Sequence, residues 1–477
     1  MTPLRQCVTV LGFSAVLLVV GVTGALGVIV LSNGVLATAA PAWTTELQVA
    51  GRPVEINVAG LVRLATAPGS AVLLDGRAFA TSAGRITLRR DGRAIVARCA
   101  PCRLRHRALA STPLQLPRVE ISAERSGATV TGWLTAETLR VDYSAELASD
   151  RIRLRWQLPA TDVGAAYLAL ATIVPEALAA RIEGTLEARG HLELPSRTGA
   201  MQLNVSGLDV GGLGTEALQF GWFAMACRRA DGGMQRIVNG DTETRWVSLD
   251  RMGTYLPAAV LAAEDQRFHI HAGFDEAQVA PLLARLDEPG PKRGASTLTQ
   301  QLARTLFTGG EKTAARKLRE LLYAIEMERT LGKARILELY LNTVDWGPGL
   351  CGARAAARTY FRKRAEQLTP LEAAWLAGIL RAPHSAHEQQ FRAGHPETER
   401  ARWVLMQMRS LPKSERQLWA RKPLPFAAAP RAAKSTRAGV SAQRDADRNA
   451  PVAEAALKSA EAAGDRGRAV GAAAVVR

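Results

Sequence analysis

The order of apolar and polar residues divides the chain into regions of different predicted structure. Residues 7–31 are an uncharged run rich in Val, Leu and Gly, and a helix of this length can cross a hydrocarbon core of about 30 Å. From residue 46 to about residue 213, apolar and polar positions alternate in short runs such as 151–156 and 182–194. A period of two is typical of strands. The pattern predicts a transmembrane helix followed by a β-rich domain.

Local signals add detail to the β-rich region. Residues 85–98 predict a hairpin that turns at Asp91 and Gly92, because this pair accepts the positive φ angles of a tight turn. Residues 163–181 predict a helix, and Pro175 predicts a break within it. The Gly-rich residues 207–214 predict the start of a linker.

The two ends of the chain have their own signals. Arg5 precedes the apolar run and Trp43 follows it, so the positive-inside tendency places the N-terminus in the cytoplasm. A cleaved signal peptide is the alternative, since residues 37–39 read Ala-Thr-Ala, but the run exceeds the usual apolar core of such peptides. Beyond about residue 422 the chain is Ala-rich with scattered Arg and Asp, which predicts a disordered tail.

The net charge of the chain limits the classes of binding partner. The 477 residues carry a formal charge of +17, which favours a polyanion or an anionic membrane surface as partner. An anchored chain without zinc-finger or phosphate-loop spacing favours the membrane and argues against nucleic acid.

Five cysteines are present. Cys99 and Cys102 are predicted to form a structural disulfide, with a redox pair or a zinc site as alternatives, whereas Cys227 and Cys351 are each isolated in the sequence.

An acidic pair ends the apolar stretch 256–263. Glu264 and Asp265 stand where a buried helix runs out, and partial desolvation raises a carboxyl pKa into the range that suits a general base. The alternative is a helix-terminal acid pair packed by His271.

Four further motifs follow this pair in the chain. They are residues 294–301 with the run Ser-Thr-Leu-Thr-Gln-Gln, residues 316–320, residues 336–349 ending in Trp-Gly-Pro-Gly, and residues 368–378. With residues 263–275 they resemble the five motifs of the family 51 peptidoglycan glycosyltransferases, over residues 245–383. The Trp-Gly-Pro-Gly segment is most similar to the monofunctional biosynthetic transglycosylases. Thr305, Arg304 and Arg362 depart from the Asn, Lys and Gly that are common there.

The resemblance implies an activity and a set of roles. It implies an inverting polymerisation of lipid II into β-1,4 glycan strands, with release of undecaprenyl pyrophosphate. Glu264 would be the base, and Glu320 would act on the donor pyrophosphate directly or through a divalent cation such as Mg or Mn; the sequence itself requires no cofactor. Substrate contacts would come from Asp265, Phe268, Ser296, Gln300, Gln301, Arg304, Lys312, Arg316 and Arg319.

Simpler interpretations accompany several of these residues. Arg316 and Glu320 are four apart and could be a surface ion pair. Ser296 and Thr297 could be helix caps, and Phe268 could belong to the core. His271 is interpreted as structural support behind the acids.

The resulting fold class is α+β and multidomain. Residues 1–43 would be a cytoplasmic stub and anchor, 44–213 a β-rich periplasmic domain, 214–244 a linker, 245–422 a mainly α, lysozyme-like glycosyltransferase domain, and 423–477 the tail. Residues 184–190 bear a faint resemblance to periplasmic AsmA-type β-sheet proteins, although an ordinary β-domain that acts as a spacer or docking module is the favoured interpretation. The protein would be a single-pass protein of the bacterial inner membrane, with lipid II, the growing glycan strand and cell-wall synthesis proteins as partners.

Two other functions stay open from sequence. A lytic transglycosylase or muramidase would also use a catalytic Glu in a helical domain. The cluster of basic residues argues against it; its members are Arg304, Lys312, Arg316, Lys317 and Arg319. A non-enzymatic envelope scaffold or lipid-binding protein is the second, and the intact Glu264 and Glu320 argue against that.

Overall fold

The computed structural model describes residues 44–49, 52–57, 70–81, 83–148, 151–194, 196, 198–220, 223–229, 233–239, 245–275, 296–390 and 398–426. The predicted transmembrane run, residues 7–31, lies outside the described residues, as does most of the predicted tail. Within the described part of the chain, no helix combines the length and apolar character needed to span a membrane.

The chain forms two compact units. The first consists of Met1–Leu213, Phe274–Ser296 and Glu311–Glu326, and the second of Gly214–Gly273, Thr297–Gly310 and Met327–Arg477. Residues 311–326 carry Arg316, Arg319 and Glu320, and they group with the β-rich unit although they lie inside the segment predicted as the glycosyltransferase domain.

The first unit is built on a nine-stranded antiparallel sheet, which confirms the predicted β-rich region. Its strand order is β13-β12-β11-β10-β9-β8-β5-β4-β3, and two hairpins, β1-β2 and β6-β7, lie outside it. The strands are β1 Thr44–Val49, β2 Arg52–Asn57, β3 Ala78–Thr81, β4 Gly84–Asp91, β5 Ala94–Cys99, β6 Cys102–Leu104, β7 Leu114–Leu116, β8 Val119–Ser126, β9 Thr129–Ala136, β10 Leu139–Leu147, β11 Ile152–Asp162, β12 Arg181–Leu194 and β13 Thr198–Gly211.

Two local predictions in this unit are confirmed. β4 and β5 pair in register from Asp91 opposite Ala94, and Gly92 has a φ of +61°, as a tight turn requires. Cys99 and Cys102 form a disulfide. The Gly-rich stretch 207–214 differs from its prediction, because β13 continues to Gly211 along its pairing with β12.

In place of the predicted helix over residues 163–181 the structure has a short helix and a 3₁₀ turn. The helix is α2, Val163–Ala169, and the Asp162 side chain caps its N-terminus by accepting from the Ala165 amide. The helix α1, Ser70–Leu74, lies earlier in the chain. Pro175 begins a 3₁₀ turn, Pro175–Leu178, because its fixed φ suits the first position of a helical turn.

The core of the first unit includes half of a helix from the C-terminal region. α5, Ala314–Thr330, contributes Leu318, Leu322 and Ile325 to the same apolar cluster as Tyr167 and Leu170. The Tyr167 hydroxyl donates to the carbonyl of Leu318 at 3.3 Å. Apolar burial on this scale is the main stabilising term in a core, so residues 314–326 are part of the folded β-rich unit.

The second unit is mainly helical and also contains the hairpin of β14, Phe223–Arg228, with β15, Met234–Asn239. Its other helices are α3 Tyr255–Glu264, α4 Leu298–Ala303, α6 Gly332–Thr343, α7 Ala353–Phe361, α8 Pro370–Ile379, α9 Pro383–Glu388, α10 Glu399–Gln407 and α11 Lys413–Ala420. Trp346, Trp375, Tyr340 and Tyr360 are among its fully buried side chains. The described residues thus combine a β-rich region with a helical one.

Candidate active site

The C-terminus of α3 presents Glu264. Leu256, Ala259 and Val260 bury the apolar side of this helix completely. The helix ends because Asp265 leaves the helical region, with φ −156° and ψ 79°, while its N–H still donates to the Leu261 carbonyl at 3.0 Å. Glu264 is therefore held on the last turn of a packed helix.

Asp265 is committed to the fold. Its carboxylate accepts from the amide of Leu298 at 2.9 Å and contacts Nε2 of His271 at 3.0 and 3.1 Å. The side chain is 1% exposed. Asp265 joins the end of α3 to the start of α4, and His271 supports it as interpreted from sequence; its contact with substrate stays a prediction.

A hydrogen-bonded chain reaches the Glu264 carboxylate. Nε2 of Gln301 donates to Oε2 of Glu264 at 3.1 Å, and the hydroxyl of Tyr340 donates to Oε1 of Gln301 at 3.0 Å. Burial raises the pKa of Glu264 above its usual value, and the Gln301 hydrogen bond works in the opposite direction. A carboxyl group with a raised pKa can take a proton near neutral pH.

Two arginines lie near the same carboxylate. The charges of Arg400 and Arg304 both lower the pKa of Glu264, although burial outweighs them. Arg304 is exposed and begins a π-helical turn, Arg304–Thr308. Arg400 donates to the carbonyl of Ala263 at 3.4 Å and covers the Trp403 ring at 4.0 Å.

Two predicted substrate residues belong to the interior. Gln300 is 4% exposed and forms a capping box with Thr297, so its amide is used at the start of α4. Phe268 is fully buried, and Nζ of Lys333 lies 4.4 Å from its ring centroid. Thr297 therefore caps α4 and Phe268 lies in the core, as their alternative interpretations have it, while the substrate contacts of Gln300 and Phe268 stay predictions.

Glu320 lies in the first unit within a buried charged cluster. Arg316 NH1 donates to Oε1 of Glu320, and Nζ of Lys317 lies 2.7 Å from Oε2. Glu320 is 0% exposed, so the Arg316–Glu320 pair is buried and not the surface pair considered from sequence. Both cations offset the charge of a carboxylate that could not remain ionised alone in such a place.

Ser296, Lys312 and Arg319 are the other predicted substrate contacts in the first unit. Oγ of Ser296 accepts from Nζ of Lys317 at 2.6 Å. Lys312 is exposed. Nε of Arg319 donates to both carboxylate oxygens of Glu176, at 2.7 and 2.9 Å.

Glu320 does not fit a divalent cation. Its two oxygens face Arg316 and Lys317, and these positive groups would repel a metal that needs several oxygen ligands. Across the described ranges, no group of three or more His, Cys, Asp or Glu side chains is arranged to hold a metal ion.

Comparison with known proteins identifies the family. The transglycosylase family model matches residues 232–409. The biosynthetic peptidoglycan transglycosylase of Shewanella amazonensis is 44% identical over 170 residues, which are 35% of this chain and 67% of that protein. That of Vibrio parahaemolyticus is 40% identical over 170 residues, 36% of this chain and 75% of that protein. The chain belongs to this family.

Other matches cover less of their proteins. The transglycosylase of Alcanivorax borkumensis is 46% identical over 146 residues, and the chain spans 60% of its length. Penicillin-binding protein 1A of Haemophilus influenzae matches 43% of this chain and 21% of that chain at 21% identity, with a TM-score of 0.22, a likeness too low to define a fold. The predicted family 51 peptidoglycan glycosyltransferase is confirmed at the level of the family.

Two departures from the common family residues have local explanations. Arg362, at the C-cap of α7, has a φ of +55°, and a glycine adopts this left-handed conformation without steric cost. The hydroxyl of Thr305 donates to the carbonyl of Gln301 in its own helical turn at 3.0 Å.

Several groups of the transglycosylase were missed from sequence. Tyr340 sits in an apolar run that reads as core, and Arg400 lies beyond the five motifs. Glu176 is 143 residues from Arg319, and no local signal connects them. Cys227 and Cys351 form a disulfide across a separation of 124 residues, which joins the predicted linker to the residues just after the Trp-Gly-Pro-Gly segment.

Proposed function

We propose that the protein polymerises lipid II into β-1,4 glycan strands and releases undecaprenyl pyrophosphate, with inversion at the sugar carbon. The observation that carries this proposal is the environment of Glu264. Its carboxyl pKa is raised by burial while Gln301 holds one of its oxygens. The donor already has a good leaving group, so the reaction needs a base for the acceptor hydroxyl.

Glu264 acts as that base. A carboxylate whose pKa is raised above its ordinary value is a stronger base and can accept the hydroxyl proton as the new bond forms. The charges of Arg400 and Arg304 favour the ionised form of Glu264, because they lower the pKa that burial raises. Asp265 has a positioning role through Leu298 and His271.

We assign pyrophosphate binding to cationic side chains that are at least partly exposed. Arg304 and Lys312 are exposed, and Arg319 is partly exposed. Charge-assisted hydrogen bonds from such groups stabilise the negative charge that develops on a departing pyrophosphate. Glu320 holds Arg316 and Lys317 by ion pairs, which gives it a positioning role in place of metal ligation.

A membrane anchor over residues 7–31 would bring the enzyme to its lipid substrate. The two disulfides, Cys99–Cys102 and Cys227–Cys351, support exposure to an oxidising compartment such as the periplasm, since disulfides persist there and are rare in the cytosol. We assign the enzyme to the bacterial inner membrane on these grounds.

The test uses the full chain, purified in detergent, with labelled lipid II. We expect a polymer of glycan strands together with undecaprenyl pyrophosphate, and both should be absent with Glu264→Gln. Release of soluble muropeptides from purified sacculi, without polymer from lipid II, would overturn the proposal in favour of a lytic enzyme. Glu328→Gln is the matched control, because Glu328 bonds Thr299 and Lys333 and has no assigned role in the reaction.

A further inference from the structure

The β-rich unit supplies a carboxylate to one of the proposed phosphate ligands. Nε of Arg319 donates to both oxygens of Glu176, at 2.7 and 2.9 Å. The Glu176 side chain is 7% exposed and that of Arg319 is 25% exposed. A charged pair this sheltered from water is weakly screened and holds a defined geometry.

Glu176 is itself held in place. It belongs to the 3₁₀ turn Pro175–Leu178, between Val174 and Ala177, which are almost fully buried. Its own carbonyl accepts from the amides of Ala179 and Ala180, at 3.1 and 2.8 Å. The Tyr323 hydroxyl also donates to its carboxylate. The carboxylate is therefore a fixed point against which a flexible side chain can be oriented.

The pair uses one edge of the guanidinium. Both hydrogen bonds come from Nε, and within the described residues the terminal NH1 and NH2 groups of Arg319 have no hydrogen-bond partner. Arg316 differs, because its NH1 group donates to the buried Glu320. The terminal amines of Arg319 form the planar fork that matches two phosphate oxygens.

We propose that Glu176 is a positioning residue that orients Arg319 for the diphosphate of the lipid-linked donor, an inference that rests on the proposed function. A free Arg side chain loses considerable rotamer freedom when it binds a phosphate. Glu176 imposes that order before the donor arrives. The β-rich unit is then part of donor recognition, and not only a spacer.

The experiment measures donor KM and kcat for the full chain with labelled lipid II, together with Tm for each variant. Glu176→Ala removes the carboxylate, and Glu176→Gln keeps an acceptor for Nε. Both are also made in an Arg319→Ala background. Glu120→Gln is the matched control, because Glu120 pairs with Arg98 at 2.5 Å in the same unit and has no assigned role in the reaction.

We expect Glu176→Ala to raise donor KM roughly tenfold, the scale of one charge-assisted hydrogen bond, with little change in kcat. Glu176→Gln should recover part of this loss, and Glu120→Gln should leave KM unchanged. In the Arg319→Ala background the Glu176 substitutions should have no further effect on KM, because Glu176 acts through Arg319. A merely structural role would lower Tm and would not show this dependence.

Three results would overturn the inference, and they separate it from the proposed function. If Arg319→Ala weakens donor binding but neither Glu176 variant does, only the positioning role fails. If Glu176→Ala tightens donor binding, Glu176 competes with the diphosphate instead of orienting its ligand. If Arg319→Ala binds the donor as the wild type does, the role of Arg319 fails and the inference fails with it.

Discussion

The hydroxyl of Tyr340 donates to Oε1 of Gln301 at 3.0 Å, and Nε2 of the same amide donates to Glu264 at 3.1 Å. A Gln amide offers an acceptor at one end and two donors at the other. Tyr340 therefore selects the amide orientation that turns Nε2 toward the carboxylate. Because Tyr340 is 1% exposed, water cannot easily take the place of its hydroxyl.

Tyr340→Phe should disturb this orientation while keeping the ring. Loss of the Gln301 hydrogen bond would raise the pKa of Glu264 further, because that bond lowers it. The acid limb of kcat/KM against pH should then move to higher pH. A buried amide oxygen without its donor should also cost about 1 to 3 kcal/mol of stability. Tyr143→Phe is the control, because it removes a hydroxyl that donates to the Ser122 carbonyl in the other unit. It should lower stability and leave the acid limb of kcat/KM where it is.

Glu264→Gln should abolish polymerisation and raise thermal stability at neutral pH. A carboxyl group whose folded-state pKa is above its unfolded value destabilises the fold as pH rises past the unfolded value, and burial produces that direction of shift here. The Gln side chain removes the charge and with it this penalty. A polymerisation assay with labelled lipid II checks the first part, and calorimetry at pH 7 checks the second. A lower Tm, or turnover near that of the wild type, would contradict the assignment of Glu264 as a partly buried base.

Arg400→Ala should move the acid limb of activity to higher pH. The charge of Arg400 lowers the pKa of Glu264, so its removal leaves the carboxyl protonated over a wider pH range. Arg402 provides the control on the same helix, because it bonds Thr398 and Ala420 and not the α3 terminus. An equal shift in Arg402→Ala would show that the effect comes from net charge.

Arg362→Gly should stabilise the protein by roughly 0.5 to 1 kcal/mol. A left-handed conformation costs a non-glycine residue about 1 to 2 kcal/mol, and the added freedom of glycine in the unfolded chain offsets part of that gain. Arg358→Gly, at a helical position in the last turn of the same helix, should destabilise the protein, by up to about 1 kcal/mol. Urea unfolding of both variants measures the difference, and a loss of stability in Arg362→Gly would contradict the argument.

A reporter fused after Trp43 should be active only in the periplasm, and the full chain should sediment with membranes. The uncharged run 7–31 is the basis for this expectation. Recovery of a soluble mature form that begins near Ala40 would show that the run is a cleaved signal.

Local sequence signals determined a substantial part of this protein. Alternation of apolar and polar residues located the β-rich region, and the Asp91–Gly92 pair located a turn, since side-chain period and turn chemistry act between neighbours. The Cys99–Cys102 pairing is also local. The order of the motifs indicated the family, because those residues keep their spacing within a continuous segment that the transglycosylase family model also matches.

Tertiary structure determined which face of each helix or strand is buried and which charged residues form ion pairs. Gln300 and Phe268 carry polar or aromatic groups suited to a substrate, yet their surroundings bury them. The Glu176–Arg319 pair and the Cys227–Cys351 disulfide join residues 143 and 124 positions apart. Such contacts depend on the packing of whole elements, and no periodic or nearest-neighbour signal in the sequence encodes them. The same packing assigns residues 311–326 to the β-rich unit, because their apolar side chains are buried in its core.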